Sequence, residues 1–320
     1  MDLDTAAGAL LGLGIGDALG YAVEFRRRTE ILDALGPMGV TGFLSVDDPR
    51  LRSPGFRPVQ AAGTWSDDTQ MTIALAEGLL DAGRDASLDR QMEAVGRRFV
   101  AWLHSPDNDR APGRTCIEGC RALERGVPWR DAGVAGSKGC GSAMRVAPIG
   151  LLWVHDLDRV EVVARSSSLL THGHPAALEG AAAAALLVAL AARGAHPAEA
   201  YAEVQRRCGG RSPDFDARWA QVPRLLDAPP AVALSRAGLG EGWVAEEAVA
   251  SAMYCAWRHP DDFVAGVLEA TNTDGDSDSL AAIAGSVLGA RLGRSALPAA
   301  WITGLEDAPR LDALAAALCA

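Results

Sequence analysis

The stretch Thr5–Val23, TAAGALLGLGIGDALGYAV, decides the fold. Its glycines at 8, 12, 16 and 20 recur every four residues, a spacing that places them along one side of a helix. Such a smooth side lets a second backbone come very close. The sub-pattern Gly12-x-Gly14-x-Gly16 is also the shape of a dinucleotide-binding loop. No strand precedes it and no acidic residue is well placed for a ribose, so the helical reading prevails.

Working outward, apolar periodicity predicts helices over Thr69–Leu80, Leu88–Leu103, Thr115–Glu124, Val160–Leu170, Ala176–Ala192 and Pro197–Arg207. Further helices are expected over Asp216–Leu226, Glu246–Trp257, Asp261–Thr271, Ser279–Leu292 and Asp312–Leu318. Gly285, Gly289 and Gly293 repeat the four-residue glycine spacing near the C-terminus. Gly36–Gly63 is rich in Pro, Gly, Asp and Arg and reads as a long, functional loop. Strand signals are nearly absent, so the fold class is all-α. We expect a compact orthogonal helical bundle forming a single domain over residues 1–320, since no repeat or linker interrupts it.

Of the 320 residues, 49% are hydrophobic but only 5% aromatic. The core therefore rests on close helix approach more than on large rings. The formal charge is −11, and the basic run Arg26–Arg28 reads as a short solvated turn. That balance excludes a generic nucleic-acid binder, which needs a positive footprint. Six cysteines show no paired zinc spacing and are sparse for a disulfide scaffold. No signal-like N-terminus is present, and the apolar run Ala181–Ala192 is too short to span a bilayer. These features predict a cytoplasmic protein without a membrane partner, and a monomer.

Two acidic clusters stand out, each opening an apolar helix: Ser66-Asp67-Asp68-Thr69 and Asp274-Gly275-Asp276-Ser277-Asp278-Ser279. One reading makes them helix N-caps, which accept orphan N–H groups and suit the positive end of the dipole. Caps seldom need so many aspartates. The second reading is a hard-cation site: carboxylate and hydroxyl oxygens without His or Cys suit Mg²⁺, Mn²⁺ or Ca²⁺. It requires the two helix starts to converge through smooth helix faces. An EF-hand is excluded, because its position-12 glutamate falls on Gly285. Asp17 and Glu24, seven apart, are a weaker signal that shares one face only if the first helix continues.

Together with Gly16-Asp17-Ala18-Leu19-Gly20 and Gly139-Cys140-Gly141-Ser142-Ala143-Met144-Arg145, these clusters resemble the ADP-ribosylglycohydrolase family across nearly the whole chain. That family includes the hydrolase that reactivates ADP-ribosylated dinitrogenase reductase. The resemblance implies a central metal cleft with two divalent cations, Mg²⁺ or Mn²⁺. It implies metal ligands Ser66, Asp67, Asp68, Asp276, Asp278 and Ser279, with Glu24 and Asp68 as the catalytic candidates. Ser137, Gly139, Cys140, Gly141 and Ser142 would lie along the diphosphate and distal ribose, and His172 would touch the ADP-ribosyl group. Ser66 and Ser279 stand where the family usually has Thr, and Cys140 where it often has Asn. The implied reaction is hydrolysis of the N- or O-glycosidic bond joining ADP-ribose to an arginine or serine side chain, or to another acceptor. The product would be ADP-ribose. The alternatives are a catalytically inactive ADP-ribose-binding or structural relative, and a hydrolase of the diphosphate bond. For His172 a second reading is structural, as the cap of the helix that follows.

Overall fold

The computed structural model describes residues 1–51 and 59–320. The fold is all-α. Among the described residues, β structure is confined to the isolated bridges Arg26–Gly275, Val134–His172 and Gly139–Val244. The N-terminal half contains α1 (Leu3–Tyr21), α2 (Arg28–Leu35), α3 (Asp67–Ala82), α4 (Leu88–Leu103), α5 (Arg114–Glu124) and α6 (Ala147–Leu152). Next come α7 (Leu157–Leu169), α8 (Pro175–Ala192), α9 (Pro197–Cys208), α10 (Pro213–Trp219), α11 (Val222–Leu225) and α12 (Pro230–Ala233). The chain closes with α13 (Ala245–Arg258), α14 (Phe263–Thr271), α15 (Ser277–Leu292), α16 (Ala299–Gly304) and α17 (Ala308–Cys319).

α1 and α15 form the central pair. They run antiparallel with their glycine faces together: Gly8 meets Gly289, Gly12 meets Gly285, and Gly16 meets Ala281. A methyl group on Gly12 would lie 2.3 Å from the Gly285 carbonyl oxygen, and one on Gly285 would lie 2.1 Å from that of Gly12. The two backbones therefore touch directly, without intervening side chains. α1 is buried continuously from Ala6 to Tyr21, so it has no polar face to turn toward water. This pairing corrects the sequence expectation in one respect. The smooth faces join α15 to α1, whereas α3 reaches the site by another route described below.

α8 is the second buried helix. It begins at Pro175, whose missing N–H is harmless in a first turn, and is capped by His174, whose Nδ1 accepts from the Ala176 amide at 3.1 Å. The cap predicted for His172 thus belongs to His174. With 18 residues, α8 is longer than the Ala181–Ala192 run and is long and apolar enough to cross a membrane. Yet 83% of it is buried, against α6, α7, α9, α13 and α15.

Other departures have local causes. The Arg26–Arg28 run is no free turn. Arg27 is the N-cap of α2, with its backbone N–H held by the Glu30 carboxylate at 2.7 Å, and Arg28 donates to the Asn272 carbonyl. The single helix expected over Asp216–Leu226 is broken into α10 and α11, because Pro223 has no N–H to continue the ladder. Residues 36–51 and 59–63 of the predicted long loop carry no helix; residues 52–58 lie outside the described part. Asn272 clamps this loop by exchanging hydrogen bonds with Val40, at 2.7 Å to its N–H and 3.0 Å to its carbonyl.

Candidate active site

Because α1 and α15 are antiparallel, the C-terminal end of α1 lies beside the start of α15. A methyl on Gly20 would be 2.4 Å from the Asp278 backbone nitrogen. Asp17, one turn earlier, brings in α3. Its Oδ1 accepts from the Ser66 amide at 2.9 Å, and its Oδ2 accepts from the Thr69 amide at 2.9 Å and the Thr69 hydroxyl at 2.6 Å. The starts of α3 and α15 therefore meet at the end of α1, and the positive ends of both helices face the same carboxylates.

The result is a cleft of ≈ 320 Å³ whose wall includes Glu24, Asp67, Asp68, Asp276, Asp278 and Ser279. Oxygens of Glu24, Asp276 and Asp278 lie within 4.8 Å of one another. Capping explains little of this. Ser66 caps α3, its Oγ accepting from the Asp68 amide at 3.2 Å, but the Asp276 side chain caps nothing. Asp67 accepts from the Gly113 amide at 3.2 Å, and Asp278 from the neighbouring Ser279 amide at 3.0 Å. Asp68 Oδ2 is buried with no hydrogen-bond partner among the described residues. Asp274 is not part of the cleft lining and accepts from the Arg28 amide at 2.8 Å.

Burial and mutual repulsion raise four carboxyls of this corner above their ordinary range. Asp67, Asp68 and Asp276 are pushed up chiefly by burial and then by the charge of Asp278. Asp17 is pushed up to about 7 by the same two causes, despite its three hydrogen bonds. Packed carboxylates of this kind hold protons or a cation. An all-oxygen donor set with an orphaned buried oxygen suits a hard divalent ion. Cys140 sits on the rim, its thiol 2.8 Å from Asp276 Oδ2 and 3.6 Å from the Ser279 hydroxyl, and burial raises its pKa.

Glu24 arrives differently from the sequence expectation. α1 stops at Tyr21, so the seven-residue spacing from Asp17 does not define a shared face. The Glu24 amide closes a turn onto the Gly20 carbonyl at 2.9 Å, and Phe25, at φ 69°, lies in the left-handed region. That geometry is held by the Phe25 amide donating to the Gly275 carbonyl at 2.9 Å and by its ring stacking on Trp243, 5.2 Å between centroids.

The glycine-rich loop divides. Gly139, Cys140 and Gly141 line the cleft, as does His172. Ser137 and Ser142 do not: Ser137 bonds the Thr115 hydroxyl at 3.0 Å, and buried Ser142 donates to the Ala177 carbonyl at 3.4 Å. The Cys140 amide is also spent, on the Trp243 carbonyl at 3.2 Å. Ser66 lies behind the wall, fully buried. His172 is kept neutral, its pKa pushed down to about 3 by burial and then by the charge of Arg145. Sequence reasoning missed Phe25, Thr115 and Trp243 on the wall and the anchoring role of Asp17. The sequence offers Asp17 only as a helix-face partner of Glu24 and as part of the Gly16–Gly20 segment, neither of which points to an anchor for α3.

A family model described as ADP-ribosylglycohydrolase matches residues 2–320. The chain is 27% identical to the ADP-ribosylarginine hydrolase Tri1 of Pseudomonas putida, over 98% of this chain and 77% of that protein. It is 28% identical to the ADP-ribosylhydrolase ARH3 of Mus musculus, over 97% of this chain and 90% of the relative. A solved structure described as an ADP-ribosylglycohydrolase-related protein complex superposes with a TM-score of 0.78 at 28% identity, covering 99% of this chain and 97% of the other. The chain belongs to the ADP-ribosylglycohydrolase family and is an enzyme of the glycohydrolase class.

Proposed function

We propose that the chain, acting as one domain over residues 1–320, is a divalent-cation-dependent hydrolase. It cleaves the glycosidic bond between ADP-ribose and an arginine, a serine or a similar acceptor. The observation that carries this reading is the meeting of Glu24, Asp67, Asp68, Asp276 and Asp278 on one cleft wall, with Asp68 Oδ2 buried and unpartnered among the described residues. The glycosidic bond follows from the relatives' names and the family; the cation follows from the donor set.

Asp67 and Asp68 on one side, and Asp276, Asp278 and Ser279 with the neighbouring Glu24 on the other, would hold two cations, Mg²⁺ or Mn²⁺. Ser66 would act from behind as the cap that orients Asp68. The chemistry two bound cations supply is substrate templating, Lewis acidity and a lower pKa for water. The protein's own contribution is to orient and deprotonate that water through Glu24 or Asp68. The water oxygen bonds to the anomeric carbon, the carbon–acceptor bond breaks, and a proton passes to the leaving nitrogen or oxygen. The oxocarbenium-like transition state is positive, and the clustered carboxylates stabilise positive charge there. Gly139, Gly141 and His172 line the same cleft and would hold the remainder of the ADP-ribosyl group. The reducing, cytoplasmic setting read from the cysteines belongs to the same proposal.

The test is release of free ADP-ribose from ADP-ribosylated arginine and serine peptides, with Mg²⁺, with Mn²⁺ and with EDTA. Release with either cation and none with EDTA is expected, as is its loss in Asp276→Ala. Turnover unchanged by EDTA, or AMP as the product, refutes the proposal.

A further inference from the structure

Arg145 is fully buried, and among the described residues its guanidinium bonds no carboxylate. Its guanidinium donates to the Ser167 carbonyl at 3.1 Å and to the Thr171 hydroxyl at 2.8 Å, and lies 4.5 Å from the centroid of the Phe99 ring. Softer contacts go to Met71 Sδ and Cys116 Sγ. A buried cation without a counter-charge is costly to keep. Its strongest directed bond ends on Thr171, and Thr171 Oγ1 is in turn 2.8 Å from His172 Nδ1.

The direction of this chain follows from donor bookkeeping. Arginine only donates, so Thr171 Oγ1 accepts from it. Thr171 is itself fully buried, and its hydroxyl hydrogen has His172 Nδ1 as its acceptor. Were Nδ1 protonated instead, both neighbours would donate to Oγ1, and the buried hydroxyl hydrogen would have nowhere to go. Nδ1 is therefore the acceptor and Nε2 carries the proton. Nε2 has no hydrogen-bond partner among the described residues and lies against the glycine loop. A methyl on Gly139 would be 3.1 Å from it, and one on Gly141 3.4 Å. The absence of a side chain at both positions leaves the N–H open to the cleft.

We propose that Arg145 and Thr171 are positioning residues that lock His172 into its Nε2–H tautomer. The lock presents a fixed, uncharged donor to an acceptor oxygen of the ADP-ribosyl group. The ligand class rests on the function proposed above; the tautomer does not. Burial and the nearby Arg145 charge keep the ring from taking a second proton, so the donor does not become a cation in the neutral range. The peptide around the ring is also fixed: the His172 amide donates to the Ser168 carbonyl at 2.7 Å, and the Ser168 hydroxyl donates to the His172 carbonyl at 3.1 Å.

The experiment is ¹⁵N NMR of the His172 ring in the full chain, together with calorimetric binding of ADP-ribose in the presence of Mg²⁺. The wild type is expected to show an unprotonated Nδ1 and a protonated Nε2. Thr171→Val, nearly isosteric, should mix the tautomers and weaken ADP-ribose binding roughly 10-fold, while Thr171→Ser keeps both at wild-type values. Arg145→Met should mix the tautomers in the same way. A protonated Nδ1 in the wild type overturns the proposal, and so does a Val variant with unchanged tautomer and affinity. If Thr171→Val or Arg145→Met does not fold, the wild-type and Thr171→Ser spectra still decide. The expected tautomer with no hydrolysis would refute the proposed function alone; hydrolysis with the opposite tautomer would refute this inference alone.

Discussion

Replacing Gly12 by alanine sets two well-understood effects against each other. Helix propensity favours alanine over glycine by about 1 kcal/mol in a helix interior. Packing opposes it. The new methyl would lie 2.3 Å from the Gly285 carbonyl oxygen, 3.0 Å from its carbon and 3.2 Å from Phe263 Cε2, where ordinary contact is 3.4–4 Å. Two of these atoms are backbone and cannot rotate away, so α1 and α15 must part by about 1 Å, enough to forfeit up to half of each dispersion well along the seam. Overpacking costs about 1–3 kcal/mol, and a backbone-on-backbone clash belongs at the upper end. The net expectation is destabilisation by about 2 kcal/mol, or a fall in Tm of about 3 °C for a domain of this size. Differential scanning calorimetry of Gly12→Ala measures it, with Gly136→Ala as the control, since nothing lies within 4 Å of a methyl there. A Tm for Gly12→Ala at or above wild type would mean that the helices are not in direct contact, and the construction of the site would fall with it.

Asp17→Ala removes the acceptor for three buried hydrogen bonds and strands the Ser66 and Thr69 amides. We expect a loss of about 3 kcal/mol in urea melts together with weakened Mn²⁺ binding by calorimetry; wild-type values in both would show that α3 is positioned some other way. His172 gives a pH signature: the folded chain keeps the ring neutral down to about 3 while the unfolded chain protonates near 6.5, so the unfolded state gains the proton and stability falls with pH between those values. The stability difference between wild type and His172→Asn should therefore shift against the wild type by about 1.4 kcal/mol per unit as pH drops below 6.5, and a difference constant from pH 7 to pH 5 would contradict a buried neutral ring.

What was legible in the sequence was what is periodic or local. The glycine spacing of Thr5–Val23 and the apolar periodicity of Leu88–Leu103 gave the right element types, the latter to the residue. The two acidic clusters were visible as excess charge at helix starts. Less legible was anything joined across the chain. Asp17 reaches Ser66 and Thr69 over 49 and 52 residues, and nothing near Asp17 distinguishes a structural acceptor from a ligand. The glycine spacing predicts a close helix pair but not that α1 is the partner of α15, because periodicity reports a face without naming what packs on it. Phe25 and Trp243 are isolated aromatics in loops, and their stacking has no spacing signature. In the glycine-rich loop, sequence could not separate the residues lining the cleft from Ser137 and Ser142, whose hydroxyls bond the Thr115 hydroxyl and the Ala177 carbonyl.

The same contact surface thus serves stability and chemistry. Close approach of α1 and α15 is needed to bring Asp17 and Asp278 to the same end of the bundle. Burial at that end, and then the charge of Asp278, raise Asp17, Asp67, Asp68 and Asp276 out of their ordinary range. Raised carboxyl pKa values favour the folded state only while the groups stay protonated, below about 3.9 fully and progressively less above it. Near neutrality the cluster therefore works against its own scaffold unless positive charge enters the cleft. His172 and Arg145 do not provide it, since one is neutral and the other is turned toward Ser167, Thr171 and Phe99. The glycine seam must then be tight enough to hold an unfavourable charge set in place. For that reason Gly20→Ala, which presses directly on the Asp278 backbone, should cost cation affinity as well as stability, whereas Gly12→Ala, two turns away, should cost mainly stability.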